Sequence, residues 1–303
     1  MRVKRFRGNR NAIAAVVGTI MSLMVFMAFL SLFTTQYIPV WMAENEAQHT
    51  DTVLTEFGTL RSNIDLLILS NNRETATYST MTLGSKGVPV FAAPTLGIFT
   101  YTPLETGFTT DEQMASASVV RVEYFDLGVN ETTTVSSAGR IELYSPNRYY
   151  VQQWSSFDNG GIILAQNDGE WMRTGPSIRI EKRDTGTGSV LNLSLRVLTF
   201  VGKKISITGA QTIGIKVQLM NEITPDQQNY GVSPRGVNLT VYTYHKKAWS
   251  EWFNRTFQDS GLIPGTDYSL DYTANYKVRI TFKNVIYLSV TDAVLRLNAG
   301  EEV

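Results

Sequence analysis

The chain has 303 residues, with 27 basic side chains, 27 acidic ones and no cysteine. That balance argues against a nucleic-acid partner and against a solvated acidic tail. The absence of thiols excludes disulfides, thiolate zinc sites and cysteine nucleophiles, so any exported part must be stabilised by core burial.

Charge is unevenly placed along the chain. Arg2, Lys4, Arg5, Arg7 and Arg10 make residues 1–11 a basic end, and the next acidic residue is Glu44. Between Asn11 and Ala43 there is no Asp, Glu, Lys or Arg, and AIAAVVGTIMSLMVFMAFLSLF is almost wholly apolar. A helix needs about 20 such residues to cross the hydrocarbon core. This predicts a transmembrane helix near Ala12–Gln36, with helix and interface together over residues 12–43. Tyr37 and Trp41 fall where interfacial aromatics are expected, and Pro39 predicts a bend just outside. A cleaved signal has a shorter apolar run and a small-residue cleavage site, and no A-x-A pattern precedes Glu44. Basic residues stay on the cytoplasmic side, so the expected localisation is the cell membrane, single-pass, with everything beyond Trp41 extracellular. The lipid bilayer is the first partner implied. Glu46→Arg, beyond the span, is expected to be tolerated far better than Leu30→Arg within it.

Ala14, Gly18 and Ser22 recur every four residues and share one helix face. Small residues let helix backbones approach closely in lipid, although they are also common in membrane helices generally. The functional reading is a homo-oligomer or pilus-like assembly through this helix.

Residues 44–72 continue as an amphipathic helix. Val53, Phe57, Leu60, Ile64 and Leu67 form one apolar stripe, with Glu56, Arg61 and Asp65 off it. Asn71-Asn72 is the expected stop. The stripe can pack on the following domain, its ordinary use, or on another subunit's helix.

From residue 73 to 303 the pattern changes to short alternating runs between Gly, Pro, Asn and Asp. Strands are predicted at 119–125, 140–144, 177–182, 191–197, 212–220, 237–244, 276–282 and 285–290. Phe282-Lys283-Asn284-Val285 reads as a hairpin connection, and 231–236 as a possible hinge between two subdomains. The expected fold class is α+β: a transmembrane helix, its amphipathic extension, then a large, mainly antiparallel, sandwich-like β domain. That domain, from about Thr75 on, is expected to be soluble and mostly β once the anchor is removed. One helix interrupts it at 248–260. Trp249, Trp252, Phe253 and Phe257 share a face that can stack sugars but more often clamps a helix onto a sheet.

Candidate chemistry is sparse. His49 and His245 are the only histidines, and neither has a second histidine at ligand spacing. No phosphate loop, dinucleotide fingerprint or nucleophile elbow occurs. No catalytic, cofactor-binding or metal site is therefore assigned, and the chain does not read as an enzyme. Asp168 with Glu170, Asp184, and Asp267 with Asp271 are carboxylates that a hydrolase or a calcium turn could use. Asp beside Gly is also ordinary turn chemistry. Sequons occur at Asn130, Asn192, Asn238 and Asn254, all in the β domain; chance alone gives roughly three such triplets in this chain. Alternation places Asn192 and Asn238 opposite the apolar residues of their strands.

Ala12-Ile13-Ala14-Ala15-Val16-Val17-Gly18-Thr19-Ile20-Met21, after a basic stretch ending in Arg7-Gly8, resembles the start of archaeal type IV pilin-like proteins. Ile13 stands where many pilins carry Glu, and Ala15 where some carry Pro. Thr82–Phe91, Pro94–Gly97, Trp154–Gly169 and Trp249–Phe257 are similar to a family of archaeal membrane-anchored surface proteins. The resemblance implies a location and an architecture, with no assigned activity. The expected function is a structural or adhesive extracytoplasmic surface protein, pilin-like in its first helix. The alternatives are a ligand- or glycan-binding ectodomain and, weakest, a surface hydrolase.

Overall fold

The computed structural model describes residues 10–186 and 188–300. Arg2, Lys4, Arg5, Arg7 and Gly8 lie outside them. Helices α1 (Arg10–Leu32) and α2 (Ile38–Ser70) are joined by a π-helical turn, Phe33–Tyr37, so the backbone is helical from Arg10 to Ser70 without a break. Pro39 was expected to bend the chain. Proline lacks an N–H and crowds the carbonyl four residues before it. The wider π turn immediately ahead, in which the Ile38 N–H reaches back to the Phe33 carbonyl, absorbs that mismatch within a continuing helix. The helix stops where Asn71 adopts the left-handed conformation, with φ of 49°.

The two halves of this rod meet different surroundings. Side chains from Ala14 to Gln36 are exposed apart from the partly covered Leu30 and Phe33, and the apolar window is long enough to cross a membrane. On α2, Val53, Phe57, Leu60, Ile64 and Leu67 are all buried.

The β domain follows in chain order. It comprises β1 (Ala76–Thr82), β2 (Gly97–Pro103), a short helix α3 (Asp111–Ser116), β3 (Val120–Asp126), β4 (Glu131–Ser137) and β5 (Gly139–Ser145). Next come β6 (Gln153–Asp158), β7 (Gly161–Gln166), β8 (Gly169–Thr174), β9 (Ile178–Thr185) and β10 (Gly188–Val201). Then follow β11 (Ile205–Gly209), β12 (Thr212–Leu219), β13 (Asp226–Asn229), β14 (Arg235–Tyr242), helix α4 (Lys246–Asp259), β15 (Tyr268–Asp271) and β16 (Lys277–Ala299). They form two sheets. The smaller has the order β11-β2-β5-β6-β7-β8; the larger is organised around β16. Among the described pairs all are antiparallel except β10 with β16.

β16 runs for 23 residues, where the sequence predicts two strands and a hairpin. The expected turn at 282–285 is instead a bulge. Asn284 has φ of 56°, and the pairing registers with β14 and β10 both shift beside it. Five strands share this spine: β14, β13 and β12 in succession along one edge, β15 and β10 along the other. The segment 231–236 joins β13 to β14, both paired with β16, so it is a turn within one sheet rather than a boundary.

Two large apolar cores result, beside a small cluster of Met114, Ala115, Val119 and Tyr242 around α3. One is filled by the α2 stripe together with Met81, Phe99, Ile141, Phe157, Phe200, Ile215 and Leu295, which come from both sheets. The other joins the larger sheet to α4 through Trp249, Phe253 and Phe257. That aromatic face is core, not an open sugar platform.

Candidate functional site

The most concentrated polar chemistry lies between the smaller sheet and α4. Arg140 pairs with Asp158, and Glu142 with Ser156, across β5 and β6, so the four side chains share one face. Ile141, Leu143 and Phe157 point the other way, into the α2 core. The polar face is covered by the chain after β14, which brings in Thr243, Tyr244 and His245. Arg140 Nη2 lies 2.9 Å from His245 Nε2, and its Nε donates to Ser156 Oγ at 3.1 Å. Arg140 also pairs with Glu142 and lies over the Tyr244 ring. Ser156 Oγ donates to Asp158 Oδ1 at 2.6 Å, and Thr243 Oγ1 donates to Asp158 Oδ2 at 3.3 Å.

Glu170, on β8, closes the other end. Its Oε2 lies 3.1 Å from His245 Nδ1, and its Oε1 accepts from the backbone N–H groups of Lys247 and Ala248 at 2.5 and 3.0 Å. It therefore serves as the N-terminal cap of α4, which has no cap of its own. Burial favours the neutral acid, but the histidine and the two helix amides outweigh it and hold this carboxyl below its ordinary range.

The arrangement fixes what the groups can do. Arginine only donates, so Nε2 of His245 accepts and Nδ1 carries the hydrogen given to Glu170. Neither ring nitrogen remains for a substrate proton. The Ser156 hydroxyl donates to a carboxylate rather than to a histidine. The network ties β5, β6 and β8 to α4 and the end of β14.

A second polar contact fastens the rod to the domain. Glu46 is 0% exposed. Its Oε1 accepts from Thr95 Oγ1 at 2.6 Å and Arg148 N at 3.0 Å, and its Oε2 accepts from Tyr149 N and Tyr150 N, each at 2.8 Å. Three successive backbone amides thus converge on one carboxylate. No basic side chain pairs with it among the described residues. The position is interior, so Glu46→Arg is costly to the folded domain whatever its effect on membrane insertion.

One turn further on, His49 is buried and its Nε2 bonds the Thr82 carbonyl at 2.9 Å. Burial lowers its pKa below the ordinary 6.5, only partly countered by that carbonyl, Glu56 and Glu46. The unfolded chain therefore binds the proton more readily than the folded one. This contribution to stability is complete above about pH 6.5 and is lost as pH falls toward the lower folded value. Thermal unfolding in detergent should show a smaller loss between about pH 7.5 and 5.5 for His49→Gln than for wild type; equal losses would assign the pH dependence elsewhere.

The remaining candidates are dispersed. Asp168 is exposed in the β7–β8 turn, and Asp184 is exposed on β9. Asp267 is buried and bound by Lys182 Nζ, Ser189 Oγ and the Ile263 amide, pinning the β9–β10 hairpin to the segment before β15. Burial raises its pKa, but these bonds prevail and lower it. Asp271 is exposed and bonds Thr273 instead. Among the described residues no cluster of three His, Asp or Glu could hold a metal ion.

Of the sequons, Asn130 sits exposed in the β3–β4 turn. Asn192 and Asn254 are half-buried, and Asn238 bridges Glu123 and Thr281 across three strands. An open groove of about 610 Å³ lies beside the end of α2, lined by Ile68, Asn71, Ile178, Arg196 and Ile223 among others. No protein family matches the chain, no curated protein is significantly similar to it, and no solved structure matches its fold.

Proposed function

We propose that this chain is a membrane-anchored, extracytoplasmic structural or adhesive protein of an archaeal cell surface, pilin-like in its N-terminal helix and without enzymatic activity. The supporting observation is the unbroken helix whose apolar first half is exposed while its second half fills a β-domain core. In this reading the basic end is cytoplasmic, α2 is an amphipathic extension of the anchor, and the two sheets form a sandwich-like head. Asn130, Asn192, Asn238 and Asn254 would lie on the glycosylating side. Ala14, Gly18 and Ser22 are the surface for lateral assembly; a Cβ built at Gly18 has no atom of the domain within 4 Å.

Protease added to intact spheroplasts should digest the β domain, and wild-type protein should crosslink to itself in the membrane. Gly18→Leu should keep insertion but diminish the crosslinked oligomers. Full protection of the domain would reverse the topology. Oligomers unchanged in Gly18→Leu would remove this face from assembly. The groove beside α2 favours a second reading, a ligand- or glycan-binding ectodomain, which specific glycan binding lost in Arg196→Ala would support.

A further inference from the structure

Between β1 and β2 the chain forms a narrow finger. Its base is closed by a bridge between Ser85 and Thr95 and its tip by one between Val88 and Ala92. The root is tied to α2, where Asn45 Nδ2 donates to the Lys86 carbonyl at 3.1 Å. The tip reaches back along the rod: the Phe91 ring meets Phe33 edge-on at 5.2 Å. Asn45 and Phe33 are twelve helical positions apart, about 18 Å along the axis.

The tip carries no charge. Between Lys86 and Glu105 there is no Asp, Glu, Lys or Arg, and Pro89, Val90, Phe91, Ala93 and Pro94 are exposed. Val90 is 100% exposed and has φ of 70°, a conformation that β-branched residues rarely adopt. The domain itself gives this side chain no contact in return for the strain. Phe91 joins an aromatic cluster on the rod, since Phe33 also meets Phe29, Tyr37 and Trp41 at 5.7–6.3 Å.

We infer that the 86–95 finger is a second membrane contact, inserting Val90 and Phe91 at the boundary between headgroups and acyl chains. The inference rests on reading α1 as a membrane span. Ala14 to Phe33 covers about 28 Å of helix, close to the hydrocarbon thickness of about 30 Å. Phe33 therefore falls at the outer boundary, and Phe91, packed on it, falls at the same depth. Exposed Val, Phe and Pro are unfavourable in water and favourable there, and aromatic rings prefer that layer. With two points of attachment the β domain has a fixed orientation over the bilayer rather than turning freely about one helix.

The test uses the absence of native cysteine. Full-length Val90→Cys, Leu23→Cys and Val232→Cys, each carrying an environment-sensitive fluorophore, are reconstituted into phosphatidylcholine vesicles containing nitroxide-labelled lipid. Val232 is the control, fully exposed on the β13–β14 turn. The expected result is a blue-shifted emission at position 90, with quenching by shallow nitroxides severalfold stronger than at position 232. Leu23 should be quenched by deep nitroxides. Quenching at 23 with a water-like signal at 90 overturns the finger contact and leaves the span standing. No quenching at 23 overturns the span and the inference together. A blue shift at 90 that lipid nitroxides do not quench, and that fades as protein is diluted in lipid, assigns the tip to a neighbouring copy and overturns the lipid contact.

Discussion

A chain cut to begin at Thr75 is expected to lose its fold rather than to yield a soluble β domain. The cut removes Val53, Phe57, Leu60, Ile64, Leu67 and Ile68, all buried in a core shared with both sheets. Each such side chain contributes about 1.5–3 kcal/mol on burial, so six contribute roughly 9–18 kcal/mol. Total domain stability is about 5–15 kcal/mol. The cut also uncovers Met81, Leu83, Ile215 and Val217. A fragment beginning near Ile38 keeps the stripe and the Glu46 contacts. It should stay soluble and melt cooperatively with a mainly β circular dichroism signal, whereas the Thr75 fragment should aggregate or melt without a transition. A cooperative melt from the Thr75 fragment would show that α2 only rests on the domain. The sequence offers both a domain separable at Thr75 and a stripe whose ordinary use is to pack on that domain; with the stripe inside the core, the second sets the outcome expected for the first.

Glu46→Ala should destabilise the protein by about 3–5 kcal/mol. Four donors lose their acceptor, and each buried unsatisfied group costs about 1–3 kcal/mol, offset where water enters. Amide hydrogen exchange at Arg148, Tyr149 and Tyr150 should accelerate together, and the melting temperature in detergent should fall. Glu46→Gln, which keeps one oxygen but turns donors toward donors, should fall between Ala and wild type. Glu46→Arg should be worst, since it sets a cation against three N–H groups. Glu44→Arg is the control, because Glu44 is exposed two residues away. Wild-type melting in Glu46→Ala would mean that water replaces the carboxylate at little cost.

The parts legible in the sequence are those with local causes. The apolar run, the α2 stripe, the Asn71 stop and β12, whose residues alternate cleanly between buried and half-exposed, follow from spacing alone. β6 and β7 were not legible, because they are buried on both faces and show no period of two. Their signal was the turn between them, Asn159-Gly160, with positive φ at both residues. Lys283-Asn284 misled for the opposite reason. Asn accepts positive φ in a turn and in a bulge alike, and only pairing with distant strands decides between them. The polar contacts were the least legible. Glu170 was visible as an acid, but its role as a cap depends on α4, 76 positions from it at Lys246. Nothing near Glu46 announces the amides of residues 148–150.

The continuous helix also settles how the molecule carries load. A pull on the β domain finds no swivel between head and anchor: the rod from Arg10 to Ser70 is about 90 Å long, and its π turn remains helical. Tension along the rod slides α2 lengthwise past both sheets, so its apolar contacts and the Glu46 clasp must yield together rather than unzip one at a time. Sideways force on the domain is carried into α1 through the same unbroken backbone. Such a body resists extraction of α2 along its axis and passes torque on the domain directly into α1.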